Sequence, residues 1–149
     1  MLSSHRRREV RELIRRAADW AESRRDLAAV ALVGSWARNE AREESDVDLV
    51  VLTDDPTSYT EDDDWIHELA PGATVVRTGR WSVIAERRFR LPSGLELEIG
   101  VGLPSWAATE PIDDGTRRVV KAGFRSLYDP HGLLRNLEVA TLDRDSGRH

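Results

Sequence analysis

An α+β fold, a small mixed sheet with helices packed against it, is what the sequence predicts, and three observations predict it. Residues 5–25 place Val10, Leu13, Ile14, Ala17 and Ala21 at helical spacing. Residues 28–33 are an apolar run of strand length, and 47–53, apolar but for Asp48 and Thr53, is uninterrupted enough to read as buried on both faces. Residues 81–91 and 95–101 flank Pro92-Ser93-Gly94 as the arms of a hairpin, proline presetting the turn and glycine following it. The 149 residues are 40% hydrophobic, enough for one core, so a single domain over residues 1–149 is expected, with a loose tail at 143–149.

On the first helix Arg6, Arg7, Arg8, Arg11, Arg15 and Arg16 surround the apolar stripe. Glu9, Glu12, Asp19 and Glu22 interleave with them, and Arg8/Glu12 and Glu12/Arg16 make ordinary helix-surface pairs, so the face reads as solvated. After the second strand, Asp54-Asp55-Pro56 stops the sheet. The acidic run 60–64 then reads as a threonine cap with carboxylates in the first turn of a helix around Trp65, which Pro71-Gly72 ends. Residues 74–77 form a short strand before the hairpin. Residues 113–122 form a helix closed by Gly123, 124–128 an edge strand and 133–142 a last helix. Arg117, Arg118 and Lys121 read as a solvated helix face.

Composition excludes several chemistries. With no cysteine there are no disulfides and no thiolate metal or redox sites, and the four histidines are scattered without ligand spacing. Neither a Gly-x-x-x-x-Gly-Lys-Ser/Thr loop nor a Gly-x-Gly-x-x-Gly turn occurs. A net charge of −5 argues against a surface built mainly to hold nucleic acid. No apolar run approaches membrane-spanning length and the amino terminus lacks the apolar core of a signal peptide, so no membrane partner and a cytoplasmic location are expected.

The stretch 32–53 carries the chemistry. Asp46 and Asp48 open the second apolar run, two residues apart and therefore on one face, while Val47 and Leu49 point into the opposite layer. Two carboxylates at one spot repel unless a cation joins them, and Mg²⁺ suits best, since it takes oxygen ligands from one or two carboxylates and completes its shell with substrate phosphates. Gly34-Ser35, at the end of the first run, reads as a glycine turn and a helix N-cap, whose free N–H groups make a phosphate cradle.

Gly34-Ser35 and Asp46-Val47-Asp48 between two apolar strands, with Ser45 before the first aspartate, resemble the DNA polymerase β-like nucleotidyltransferases, in particular their small bacterial minimal members. That family carries an apolar strand, Gly-Ser, a short helix, then Asp-x-Asp in a second strand. Asn39 departs from the glycine usual there, and asparagine tolerates the left-handed region. The resemblance implies transfer of a nucleoside monophosphate from a nucleoside triphosphate, ATP by preference, to a hydroxyl acceptor on a protein, an RNA end or a small molecule. It implies Asp46 and Asp48 as Mg²⁺ ligands, with room for two ions, and Gly34 and Ser35 as holders of the β and γ phosphates. It also implies a third carboxylate on a later strand, for which Glu96 and Glu98 are the candidates. We prefer Glu98, as metal ligand and catalytic residue, because Gly100 and Gly102 beyond it leave room on that face for a ligand or a close backbone; family members normally carry aspartate there. A binding-module alternative remains: small relatives serve as antitoxins that neutralise a helical toxin, with or without catalysis. A drug-modifying enzyme is a third reading, weakened by the lack of an evident extra domain to hold a sugar.

Overall fold

The computed structural model describes residues 2–146. Among them, six strands form one mixed sheet in the order β3-β4-β5-β2-β1-β6. Helix α1 (Ser4–Glu22) starts at Ser3, whose side chain accepts from the Arg6 amide. It leads into the central antiparallel pair β1 (Leu27–Val33) and β2 (Val47–Thr53). Two short helices, α2 (Thr57–Thr60) and α3 (Ile66–Leu69), precede the meander β3 (Thr74–Trp81), β4 (Ile84–Arg90) and β5 (Glu96–Gly102). A 3-10 turn at Pro104–Ala107, α4 (Asp114–Lys121), β6 (Phe124–Tyr128) and α5 (Leu133–Ser146) complete the order. β5 pairs parallel with β2, and every other strand pair is antiparallel. The expected α+β class and the strands 28–33, 47–53 and 124–128 are observed within a residue of their expected bounds.

Alternation along β2 divides the core into two layers. Val47, Leu49 and Val51 pack beneath α1, with Val10, Leu13, Ala17 and Trp20, while Val50 and Leu52 face Trp106, Leu134 and Leu137. In the first layer Trp65 stacks on Trp20 at 5.5 Å and meets Tyr59 and Phe89 edge-on, so the short α2–α3 segment is anchored by aromatic burial.

Several local expectations are corrected. Thr60 ends α2 rather than capping the next helix; the N-cap position of α3 is Trp65, and the acidic run is used instead by an Asp62 carboxylate that accepts from the Asp64 amide and by an Asp63–Arg87 ion pair at 3.0 Å. The expected strand 74–77 extends to Trp81 and turns at Ser82-Val83, with Ser82 at φ 54°, so the arm expected at 81–91 begins at Ile84. α5 continues to Ser146, past the expected boundary at 142, and residues 147–149 of the expected tail lie outside the described residues. The segment after Gly34-Ser35 forms a single turn and not a helix. Among the described residues no helix is long and apolar enough to cross a membrane.

Gly100 and Gly102 do not open a space either. A Cβ at Gly100 would lie 2.8 Å from Ile84 Cγ2, and one at Gly102 would lie 2.6 Å from Ile84 Cδ1. The glycines therefore receive Ile84, which is fully buried. Ile84→Ala is expected to cost about 2–5 kcal/mol of stability in denaturant unfolding. Gly100→Ala should cost markedly less in the Ile84→Ala background than in the wild type, a coupling that a double-mutant cycle would measure.

Candidate active site

Register assembles the site. Asp48 stands opposite Val33 on β1 and beside Glu98 on β5, and Glu98 stands opposite Arg88 on β4. Arg88, Glu98 and Asp48 thus form one row across three adjacent strands. Asp46 and Glu96 occupy the same face one pleat further towards the strand ends. Of the expected site residues, Asp46, Asp48 and Glu98 share this face, and Gly34 adjoins them: a Cβ there would fall 2.7 Å from Asp48 Oδ2. With φ +79° as well, a side chain at position 34 would strain the backbone and displace the Asp48 carboxylate.

Beyond Gly34 the backbone makes one turn, Ala37 and Arg38 N–H donating to the Gly34 carbonyl and Glu40 N–H to that of Ser35. Asn39, at φ 63°, closes it in the left-handed region. The turn is held from outside, since Gly34 N–H donates to Gly123 O at 3.2 Å and Arg38 Nη1 to Ala122 O at 2.8 Å. Gly123 must be glycine for this approach, because a Cβ would meet the Gly34 carbonyl oxygen at 2.6 Å. Among the described residues the amides of Ser35 and Trp36 take no part in these bonds. The turn therefore offers two donors for an anion. Ser45 hydroxyl accepts from the Arg42 amide and so shapes the approach to Asp46.

Sequence reasoning missed Arg88. Its Nη1 donates to Asp46 Oδ2 at 2.6 Å and to Glu96 Oε1 at 3.0 Å, and its Nη2 donates to Glu98 Oε2 at 3.1 Å. Glu86 was missed too; it shares a hydrogen bond with Glu98, and Arg77 lies 3.5 Å from Glu86 and 3.4 Å from Glu98. The signal was present in the alternation of residues 84–90, where Glu86 and Arg88 fall on one face. Nothing in the hairpin alone says that this face meets Asp48.

The charges interact strongly. Burial, then the carboxylates of Glu98 and Asp46, push the Asp48 carboxyl up to about 7 against the weaker opposing pull of Arg88. The hydrogen bond with Glu98, then burial and the Glu98 charge, push Glu86 up to about 7. Glu98 itself is lowered: burial opposes ionisation, but the hydrogen bond from Glu86 and the Arg88 charge prevail. Glu96 is lowered by hydrogen bonds from Arg90 and Arg88. Glu98 therefore carries the ionised carboxylate that Asp48 and Glu86 share protons with. Among the described residues no three acidic, histidine or cysteine side chains converge as metal ligands, and Arg88 engages one oxygen each of Asp46 and Glu98.

Asp48 titrates higher in the folded chain than in the unfolded one, so the folded state holds more protons between the two values, and stability falls as pH rises from about 4 towards 7 through this group. In metal-free buffer the melting temperature of the wild type is expected to fall between pH 5 and 8 by more than that of Asp48→Asn. Equal slopes for the two would show that Asp48 does not titrate in this window.

Residues 12–81 match the family model described as nucleotidyltransferase domain. A comparison with curated proteins returns no match. Among solved structures, the chain is similar to the Cid1 poly(U) polymerase (19% identity, 67% of this chain and 31% of that one, TM-score 0.47). It is also similar to terminal uridylyl transferase 4 from Trypanosoma brucei with bound UTP and UMP (17%, 70% and 38%, 0.39) and to a CCA-adding enzyme (15%, 93% and 36%, 0.47). The chain spans only 31–38% of the length of these proteins. The matched segment, a little under half of the chain, contains Gly34-Ser35 and Asp46-Val47-Asp48.

Proposed function

We propose that the chain transfers a nucleoside monophosphate from a nucleoside triphosphate, ATP by preference, to a hydroxyl acceptor, with Mg²⁺ as the metal. The observation that carries this reading is the in-register contact of Asp48 with Glu98 beneath Gly34, a glycine whose missing Cβ is what admits the Asp48 carboxylate. The donor set fits the ion. It is all carboxylate oxygen with an excess of negative charge, and Mg²⁺ asks for only one or two carboxylates besides water and phosphate. Asp48 and Glu98 would hold it, the expected third ligand Asp46 being engaged by Arg88 instead. When bound, Mg²⁺ supplies Lewis-acid neutralisation of charge on the phosphate oxygens.

The chain's own residues do the rest. The Ser35 and Trp36 amides, with the Ser35 hydroxyl, orient the β and γ phosphates at the edge of the turn. Glu98, ionised, accepts the proton of the acceptor hydroxyl. The acceptor oxygen then bonds to the α phosphorus as the bond to the bridging oxygen breaks, and pyrophosphate leaves. Asp46 and Glu96, both accepting from Arg88 Nη1, fix where that guanidinium sits and therefore where Glu98 points.

Incubation of the purified chain with Mg²⁺ and each labelled triphosphate, with hydroxyl acceptors supplied, tests the reading. Label should move in the wild type and not in Asp48→Asn, while Asp48→Asn keeps or gains stability in the absence of metal. Glu98→Gln should cost a factor of about 10²–10⁴ in transfer and Glu96→Gln little. Failure of Mg²⁺ and triphosphate, at millimolar concentration, to raise the melting temperature of the wild type would sink the metal-and-phosphate reading.

Arg88→Gln supplies a separate check. Without its guanidinium the carboxylates lose hydrogen bonds to a charged group worth about 1.5–3 kcal/mol each, so the metal-free variant should melt lower. Its cluster is also one charge more negative. Mg²⁺ should therefore raise the melting temperature of Arg88→Gln by more than that of the wild type, as a titration by differential scanning fluorimetry would read.

A further inference from the structure

On the other side of the sheet, between α1 and the glycine turn, a groove of about 240 Å³ is lined by Arg7, Arg11, Arg125, Trp36 and Asn39 together with apolar side chains of α1. No carboxylate lines it. Arg125 stands opposite Leu32 in the β1–β6 register, and Leu32 belongs to the core layer beneath α1, so Arg125 projects to the α1 side. Arg7 and Arg11 are four residues apart, about 6 Å along the helix, on the face that meets it.

The contrast with the rest of α1 is informative. Arg6 pairs with Glu9 and Glu43, and Arg15 and Arg16 pair with Glu12. Among the described residues Arg7, Arg11 and Arg125 form no ion pair. Three guanidinium groups from two elements thus converge on one concavity of a chain whose net charge is −5. Such convergence is unfavourable unless an anion is shared, and the planar fork of arginine matches phosphate oxygens. Trp36 adds an aromatic wall, oriented by a hydrogen bond from its Nε1 to the Ser45 carbonyl at 3.4 Å.

We infer that this groove binds the phosphates of a single-stranded nucleic acid, with a base against Trp36. Phosphate-binding arginines beside an aromatic ring are the two components single-strand sites combine. An acidic peptide would satisfy the arginines and leave the ring unused. The groove also adjoins the catalytic turn, since Trp36 follows Gly34 by two residues, about 7 Å of chain. A strand held here can present its terminal hydroxyl over the turn to Asp48, and only this last clause rests on the transferase reading.

Binding is measured without Mg²⁺ or triphosphate, by fluorescence anisotropy of a labelled single-stranded RNA or DNA 10-mer across a salt series. The wild type should bind, and Arg7→Ala/Arg11→Ala should weaken binding at least tenfold and lower the salt slope by about 1.4, from about 0.7 per phosphate contact in single strands. Arg8→Ala/Arg25→Ala removes the same charge from exposed positions outside the groove and should change little. Binding retained where label transfer fails would support the groove while refuting the transferase. Absence of binding, equal losses in the two double variants, or displacement of the strand by polyglutamate or inorganic triphosphate at equal concentration would each overturn the proposal.

Discussion

The parallel pairing of β2 with β5 is the constraint on which the candidate site depends. It sets Asp48 beside Glu98, and a slip of β5 by one residue would turn Glu98 into the core layer and Leu97 out of it. Because Val47, Leu49, Leu97 and Ile99 are buried under α1, the register is fixed by apolar burial on one face, and the acidic face inherits its geometry. The hydrophobic core therefore positions two groups it never touches.

That inheritance places like charges together, and at about 5 Å with an effective dielectric constant of 20 a pair of carboxylates repels by about 3 kcal/mol. β4 answers the repulsion by contributing Arg88 in register with Glu98. The answer is partial, because Asp48 still holds its proton up to about 7. The five carboxylates of Asp46, Asp48, Glu86, Glu96 and Glu98 face three arginines, Arg77, Arg88 and Arg90, so the fully ionised cluster stays negative and is suited to a cation that arrives with phosphates.

What the sequence disclosed and what it withheld follow from the range of the interactions. Gly34, Asp46 and Asp48 lie within one strand-turn-strand unit, where periodicity and backbone angles are local, and they could be read from residue type and spacing; Asn39 was likewise read as tolerating the left-handed region and adopts it. Glu98 was preferred over Glu96 because of an open space at Gly100 and Gly102, and that space is filled by Ile84. What favours Glu98 is instead its pairing with Asp48, a contact between residues fifty positions apart that no alternation pattern encodes. Arg88 and Glu86 were hidden for the same reason. The helix expected after Ser35 was lost to Asn39, whose left-handed backbone ends the segment after a single turn.

The same turn divides the molecule electrostatically. Its glycine end touches Asp48 on the acidic side of the sheet, and two residues later Trp36 lines a basic groove on the α1 side. Neither side can move far without the other, because Gly34 is tied to Gly123 and Arg38 to Ala122, which anchors the turn to the end of α4. On the proposed reading, a turn held between opposite potentials would align an anionic ligand rather than merely attract it: phosphates drawn to the arginines would be repelled by the carboxylates unless a cation intervened. Engagement of the acidic side would then be conditional on metal, whereas engagement of the basic side would not, and that asymmetry makes one turn able to separate binding from chemistry.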